Sequence, residues 1–449
     1  MAISVPRRRT SSTWLERWNP EDTREWEAGG EKVAWRTLWT TTFCLVLAFA
    51  TWYMVSVIAV RLPGIGFQLS TSQLFWLTAM PGLAAGTLRI VHTFLVPIVG
   101  TRHVVTFSTL LLLVPAVGWG VAVQDSGTPF VVLMLLAFLA GLGGGNFSSF
   151  MPSTSLFFPK RLQGVALGIQ AGIGNFGVSI AQFVTPWIIT AGAMAVVTGP
   201  AQDFTKNGKT SALWLQNAAL WYVPLVLVAA GLAWVNLRSV PVRARVREQL
   251  DIFREKHTWL MTSLYLMTFG SFSGFSAAFP LMIREVFGKL EGAPDPLAYA
   301  FLGPLIGSAS RIIFGALADK VGGAVLTQVS GIGLFGSAVA VTFFTTPSHA
   351  SFPFFVAAML GIFFFAGIGN ASTFRQMPMI FPPRQAGGVI GWTAAVAAYG
   401  PFLFSMLIGA AFAATAGPNV FFLGAAAFYL VNIAINWWFY ARKGAEKPC

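Results

Sequence analysis

The sequence predicts an all-α membrane protein with twelve transmembrane helices in two six-helix, pseudo-symmetric halves. Three observations predict it. The 449 residues are 55% hydrophobic and only 10% charged, too little polar surface for a soluble chain. Twelve apolar windows of about 20 or more residues are each long enough to cross a hydrocarbon core of about 30 Å. Finally, two separate stretches of sequence recur at nearly one offset.

In chain order, 1–36 is polar with both charge signs and has no apolar core followed by a cleavage site. It is expected as a retained cytoplasmic tail. The windows then run over roughly 37–59, 71–100, 103–124, 129–151, 162–192 and 213–237, closing a first six-helix bundle over 37–237. A basic linker, 238–257, carries six cations. The second bundle, 258–441, holds windows 258–283, 296–318, 323–346, 351–377, 385–413 and 418–441, and 442–449 forms a short tail. With both termini inside, 21 of the 29 Lys and Arg fall in inside segments, five in outside loops and three within spans. That asymmetry predicts cytoplasmic termini. It also accounts for the net charge of +13 without nucleic acid, because the cations are scattered through loops instead of forming one face.

The repeat supports the division into halves. Gly367-Ile-Gly-Asn370-Ala-Ser-Thr-Phe374, ahead of Phe381-Pro-Pro-Arg384 and Gly388, echoes Gly143-Gly-Gly-Asn146-Phe-Ser-Ser-Phe150, ahead of Phe158-Pro-Lys160 and Gly164. The shift from Asn146 to Asn370 is 224 residues, and that from Arg89 to Arg311 is 222. Halves of equal orientation are related by an axis along the membrane normal, with a substrate held near the midplane between them.

Arg89 and Arg311 are the two cations that this axis makes facing partners. Each lies eleven residues before a glycine at its span end, Gly100 and Gly322. At 1.5 Å per residue that is about 16 Å, near half the core thickness. A charged side chain at that depth costs roughly 2.5–3.5 kcal/mol on insertion scales, and about 16 Å is beyond the reach of a snorkelling arginine. All sixteen acidic residues fall in tails, loops or span ends, so no carboxylate neutralises the pair. The missing counter-charge is expected to be a transported anion, and a planar guanidinium fork suits a planar oxyanion better than lysine does.

Other residues carry weaker signals. Gly144, Gly168 and Gly172 belong to small-residue faces expected to pack and slide during gating. Asn146 and Asn370 are expected to bond helix backbone or substrate. Arg375, at the position of Met151 in the first half, is expected in a gate or helix-end role. His92, three residues beyond Arg89, reads either as a hydrogen-bonded core residue or as a group that couples a proton to anion entry. Tyr265 and Phe269, spaced i,i+4, share a helix face.

Cys44 and Cys449 make neither a disulfide framework nor a metal cluster, and no metal or cofactor is expected. HExxH, Ser/His/Asp and nucleotide-binding motifs are absent from the sequence, so the chain is expected not to be an enzyme. A membrane-embedded enzyme or a sensor is disfavoured on the same ground and by the lack of an appended domain.

Two sets of residues carry a family resemblance. Gly315-Ala-Leu-Ala-Asp319-Lys320-Val-Gly322 resembles the loop motif of the major facilitator superfamily, with Pro97 at the Asp319 position of the first half. The paired Gly/Asn-rich segments, together with Trp18-Asn-Pro-Glu-Asp22, resemble the nitrate/nitrite porter (NarK-type) family within it. The resemblance covers essentially the whole chain. It implies the major facilitator fold and a monomer in the bacterial inner membrane. It also implies alternating-access transport of nitrate and nitrite, in support of nitrate assimilation. Antiport is the first expectation and nitrate/proton symport, through His92, the second. Carried onto this sequence, the family's site implies a planar anion sandwiched between Phe147 and Phe269 beside Arg89 and Arg311. Tyr265 and Asn175 would be further donors.

Overall fold

Among the described residues, twelve helices in the computed structural model of the chain are long and apolar enough to cross a membrane. The structure describes residues 14–449 except 16, 17, 207 and 241–245, and the side chains of 94, 246–249, 319, 383 and 384 are likewise not described. The expected tail before Trp14, part of the linker and the Asp319 side chain therefore lie outside the described residues.

The spans in the first half are α1 (Thr23–Ile65), α2 (Thr71–Thr93), α3 (Thr101–Ala122), α4 (Phe130–Ser155), α5 (Lys160–Thr190) and α6 (Asn217–Asn236). In the second half they are α7 (Lys256–Phe287), α8 (Pro296–Ala318), α9 (Gly323–Thr342), α10 (Phe352–Ile380), α11 (Gln385–Thr415) and α12 (Asn419–Ala441). Local chemistry sets several of the ends. Ser70 accepts from the Gln73 amide while the Gln73 side chain accepts from the Ser70 amide, a capping box that starts α2. The helix containing α2 ends at Gly100 (φ +84°) and the one containing α8 at Gly322 (φ +101°), a left-handed backbone best tolerated by glycine. These two glycines are repeat partners, so the sequence repeat is also a repeat of backbone geometry.

Among the boundaries that differ from expectation by several residues, two have a visible local cause. Helix α1 begins well before residue 37, its first turns set off by Gly29 at φ +132°. Helix α6 begins at Asn217 instead of 213, because Gln202–Lys206 (β1) and Lys209–Leu213 (β2) pair as an antiparallel hairpin.

The packing between halves follows the repeat. Helices α2 and α11 pack together, as do α5 and α8, the pair related to them by the internal symmetry, while α1 meets α7 on the axis. Both described chain ends lie on one face of the bundle, here the terminus face. Trp14 bridges to Ser239 after α6, and the Cys449 carbonyl accepts from Ala324 at the start of α9.

Toward the opposite face the halves are tied. Arg61 pairs with Asp295, Thr71 donates to Glu285, Gln182 to the Ser276 carbonyl and Ser179 to the Phe301 carbonyl. Toward the terminus face both cross-half pairs splay. A Cβ on Gly172 of α5 would press on Ile312 of α8. One turn further, Gly168 and Gly315 lie on the same facing stripes, yet a Cβ on either would meet nothing within 4 Å. On the other side Gly391 of α11 meets Thr93, and Gly387, a turn away, meets nothing. Gly168, expected to pack or to slide in gating, has open space beside it in this arrangement. The helices have diverged where it sits.

Candidate functional site

Arg89 is fully buried, and two backbone carbonyls hold it. Its Nε donates to Gly144 of α4 at 2.9 Å and its Nη1 to Ala394 of α11 at 2.8 Å, a bond from one half to the other. Its Nη2 is buried with no hydrogen-bond partner. The Gly144 carbonyl is within reach because α4 has no side chain there. A Cβ on Gly144 would strike Ala85 of α2 and Trp52 of α1. The small-residue stretch therefore packs, as expected, and also exposes a backbone acceptor.

Three aromatic rings surround the same guanidinium. Its carbon lies 4.7 Å from the Phe147 centroid, 5.2 Å from Phe269 and 5.7 Å from Trp52, distances at which the quadrupole of each ring attracts a cation. Phe147 opens the helical segment after the turn at Asn146. Phe269 lies in a π-helical turn, Leu266–Gly270, set between the α-helical parts of α7. Such bulges re-aim side chains and recur at functional sites. The expected shared face of Tyr265 and Phe269 is present, with their rings stacked at 5.6 Å and 13°.

Arg311 is held differently. It is 7% exposed, and its Nη1 is buried without a partner. Its one ring contact is Phe374 of α10, at 5.8 Å. Phe374 leans on Tyr265 with the centroids 6.1 Å apart. The Tyr265 hydroxyl sits within the electrostatic field of both arginines, and the two arginines lie within each other's. That hydroxyl is buried with no partner at hydrogen-bonding geometry. Among the described residues, no carboxylate lies within 4.0 Å of Arg89 or Arg311. Ion pairs there include Arg61 with Asp295, Arg284 with Glu285, and Lys256 and His257 with Glu446, at span ends and in the adjoining loop and tail.

The remaining expected residues separate into groups. Asn175 is fully buried on α5 with neither amide atom partnered, and Asn370 on α10 is the same. Asn146 donates to the Ser108 carbonyl at 3.5 Å, a backbone contact. His92 and Ser149 of α4 are hydrogen-bonded at 2.9 Å, which places the imidazole in the packing of α2 on α4. Arg375 is exposed on α10, and the neighbouring Phe374 faces the site instead.

Three contributors went unpredicted. Trp52 and Phe374 sit in apolar runs with nothing to set them apart, although Phe374 closes the second Gly/Asn-rich segment at the position of Phe150. The Ala394 carbonyl is backbone and has no residue-type signal. With them, each of α1, α4, α7 and α10 gives one aromatic ring to the arginine pair, through Trp52, Phe147, Phe269 and Phe374.

Chemically, the arrangement suits an anion. Two guanidiniums 4–8 Å apart repel by about 2–4 kcal/mol at an effective dielectric near 20, and one small anion between them reverses the sign of that balance. The flat aromatic walls favour a planar guest.

Comparison with known proteins agrees with this architecture. The family model described as Major Facilitator Superfamily matches residues 41–396. A Thermus thermophilus protein named "Probable nitrate/nitrite antiporter NarK2" is 68% identical over 439 residues, covering 97% of this chain and 98% of that one. The Escherichia coli (strain K12) "Nitrate/nitrite transporter NarU" is 36% identical over 469 residues, covering 98% of this chain and 99% of its own. Among solved structures, a bacterial homolog of the human lysosomal transporter Spinster superimposes with a TM-score of 0.66 at 13% identity. It covers 90% of this chain and 96% of its own, and so shares the fold.

Proposed function

The chain belongs to the nitrate/nitrite porter family of the major facilitator superfamily, and on that premise we propose that it exchanges nitrate for nitrite across a bacterial inner membrane. The terminus face would be cytoplasmic, as the distribution of Lys and Arg favours, and transport would proceed by alternating access around Arg89 and Arg311. The observation that carries this reading is a pair of unspent donors. Arg89 Nη2 and Arg311 Nη1 are buried guanidinium nitrogens without partners, and no described carboxylate neutralises either arginine.

The hydrogen-bond inventory suggests an order of events. Arg311 offers Nη1, beside the Tyr265 hydroxyl. Arg89 offers only Nη2 while Nε and Nη1 remain on carbonyls, so a two-point grip on an oxyanion requires Nη1 to leave Ala394. That bond joins the halves. Anion binding would therefore loosen a cross-half tie at the midplane, and the halves would rock when loaded. When empty, the site leaves two like charges facing each other, and closure around them is disfavoured. Return would then require a second anion, which is exchange. The hydrogen bond of His92 to Ser149, away from the guanidinium pair, favours the antiport reading over proton coupling.

The test is anion flux in proteoliposomes, with internal nitrite and the pH gradient varied independently. Exchange predicts nitrate uptake that depends on internal nitrite and persists with no pH gradient. Full uptake into liposomes empty of anion, or uptake driven by the pH gradient alone, would count against it.

A further inference from the structure

Five cations, Arg61, Lys206, Lys209, Arg284 and Lys289, lie at span ends or in loops toward the opposite face, and the central site uses none of them. Three, Arg61, Lys206 and Arg284, line one cavity of about 260 Å³ that opens on that face. The cavity straddles the two halves. Arg61 comes from the end of α1 and Lys206 from the β1–β2 hairpin, while Arg284, on α7, and Pro296, on α8, form the far wall. Phe204 of the hairpin caps Arg61 with its ring centroid 5.3 Å from the guanidinium carbon.

The charges do not cancel. Arg61 Nη2 donates to both Asp295 oxygens at 2.9 and 2.7 Å, and Arg284 donates to Glu285 at 2.6 Å. Lys206 has only the Ala293 carbonyl, at 3.4 Å. Three lining cations against two paired carboxylates leave one positive charge in excess. Burial works to raise the Asp295 carboxyl, but the charge and hydrogen bonds of Arg61, the Leu297 amide and the charge of Lys206 outweigh it and hold Asp295 below the usual carboxylate range. Asp295 therefore stays ionised on Arg61 while also feeling the charge of Lys206, so the three cations share two carboxylates. A second donor is also unspent. Arg61 is 7% exposed, and its Nε is buried without a partner.

We propose that this cavity is a second anion site, distinct from the central arginine pair, which takes a small monovalent oxyanion through Lys206 and Arg61. One excess charge suits a monovalent guest, and the volume accommodates a small oxyanion with part of its water shell. The site gathers anion at the seam where the halves must part to open the opposite face. It is the entry or release station of that face.

Equilibrium dialysis of nitrate against purified full-length protein tests this by counting bound anions. Wild-type protein is expected to bind two per chain. Lys206→Gln, a change on an exposed hairpin that leaves the bundle intact, is expected to lose at least tenfold in affinity at one of them. Lys206→Arg keeps the charge and is expected to keep both. Arg311→Gln is expected to lose the central site and retain the one at Lys206. Binding in Lys206→Gln equal to wild type, an equal loss in Lys206→Arg, or a single site in wild-type protein would overturn the proposal.

Discussion

Arg89 and Arg311 are repeat partners at matching depth, yet the two halves treat them unequally. Arg89 has two carbonyl ties and three aromatic faces. Arg311 has one aromatic face and a buried, unpartnered Nη1. Pseudo-symmetry thus supplies two similar charges, and local sequence divides their work. Phe147 of the first half has no aromatic counterpart, since a shift of 224 leads to Ala371, and the second half uses Phe374, one turn further along. On the proposed reading, Arg89 is the anchor that links the halves until an anion draws Nη1 away, and Arg311 is the freer hand.

The largest effect that could break this comparison comes from shortening the forks. Arg89→Lys loses several charge-assisted bonds, each worth about 1.5–3 kcal/mol, and should reduce nitrate flux by about 100-fold or more. Arg311→Lys should lose about 10-fold or more by the same measure. Equal losses would show that the anchor and the hand are not distinct, and wild-type flux in either would remove the fork from the mechanism.

Gly144→Ala tests the anchor indirectly. Its methyl would press on Ala85 and Trp52, an overpacking that costs about 1–3 kcal/mol. It should lower thermal stability and flux together, whereas the same change at Gly168, where the helices stand apart, should leave stability unchanged. Phe374→Ala should act on the freer arginine alone. The loss of one cation–π contact, about 0.5–2 kcal/mol, should raise the half-saturating nitrate concentration by roughly 2–30-fold with little change in stability.

The smallest effect is expected at the opposite face. Asp295→Asn removes a half-exposed pair worth on the order of 1 kcal/mol or less after solvent screening. It should shift spin-label distances across that face modestly toward the open state. Because the Asp295 carboxyl is held below its ordinary value of 3.8, the contribution of the pair is fully present above that pH and is lost as pH falls through the depressed value. Closure of this face should therefore be flat between about pH 8 and 5 in wild-type protein.

How much the sequence revealed depended on the kind of signal involved. The spans were legible because length and hydropathy are local. The repeat was legible because Gly100 and Gly322 serve the same left-handed turn. The arginine pair stood out because charge in an apolar run is costly. Tyr265 and Phe269 were legible as a shared face, but the π turn that aims them was not, since nothing in Leu266–Gly270 marks an extra residue in the turn. The β1–β2 hairpin was missed although Asn207-Gly208 between two short strands is a strong hairpin signal. The long apolar stretch into α6 masked it. Trp52 and Phe374 were missed because a span apolar on every side shows no preferred face. Gly168 shows the limit of composition, which records small size and is silent on how far apart two helices stand.

The most direct test of the central claim, that the arginine pair is neutralised by its substrate, is an experimental structure of the protein with nitrate bound. A planar anion is expected between Phe147 and Phe269, within hydrogen-bond distance of Arg311 Nη1 and Arg89 Nη2, with Arg89 Nη1 withdrawn from the Ala394 carbonyl. A carboxylate or a backbone group in that position, with nitrate bound elsewhere and the Arg89–Ala394 bond intact, would contradict it.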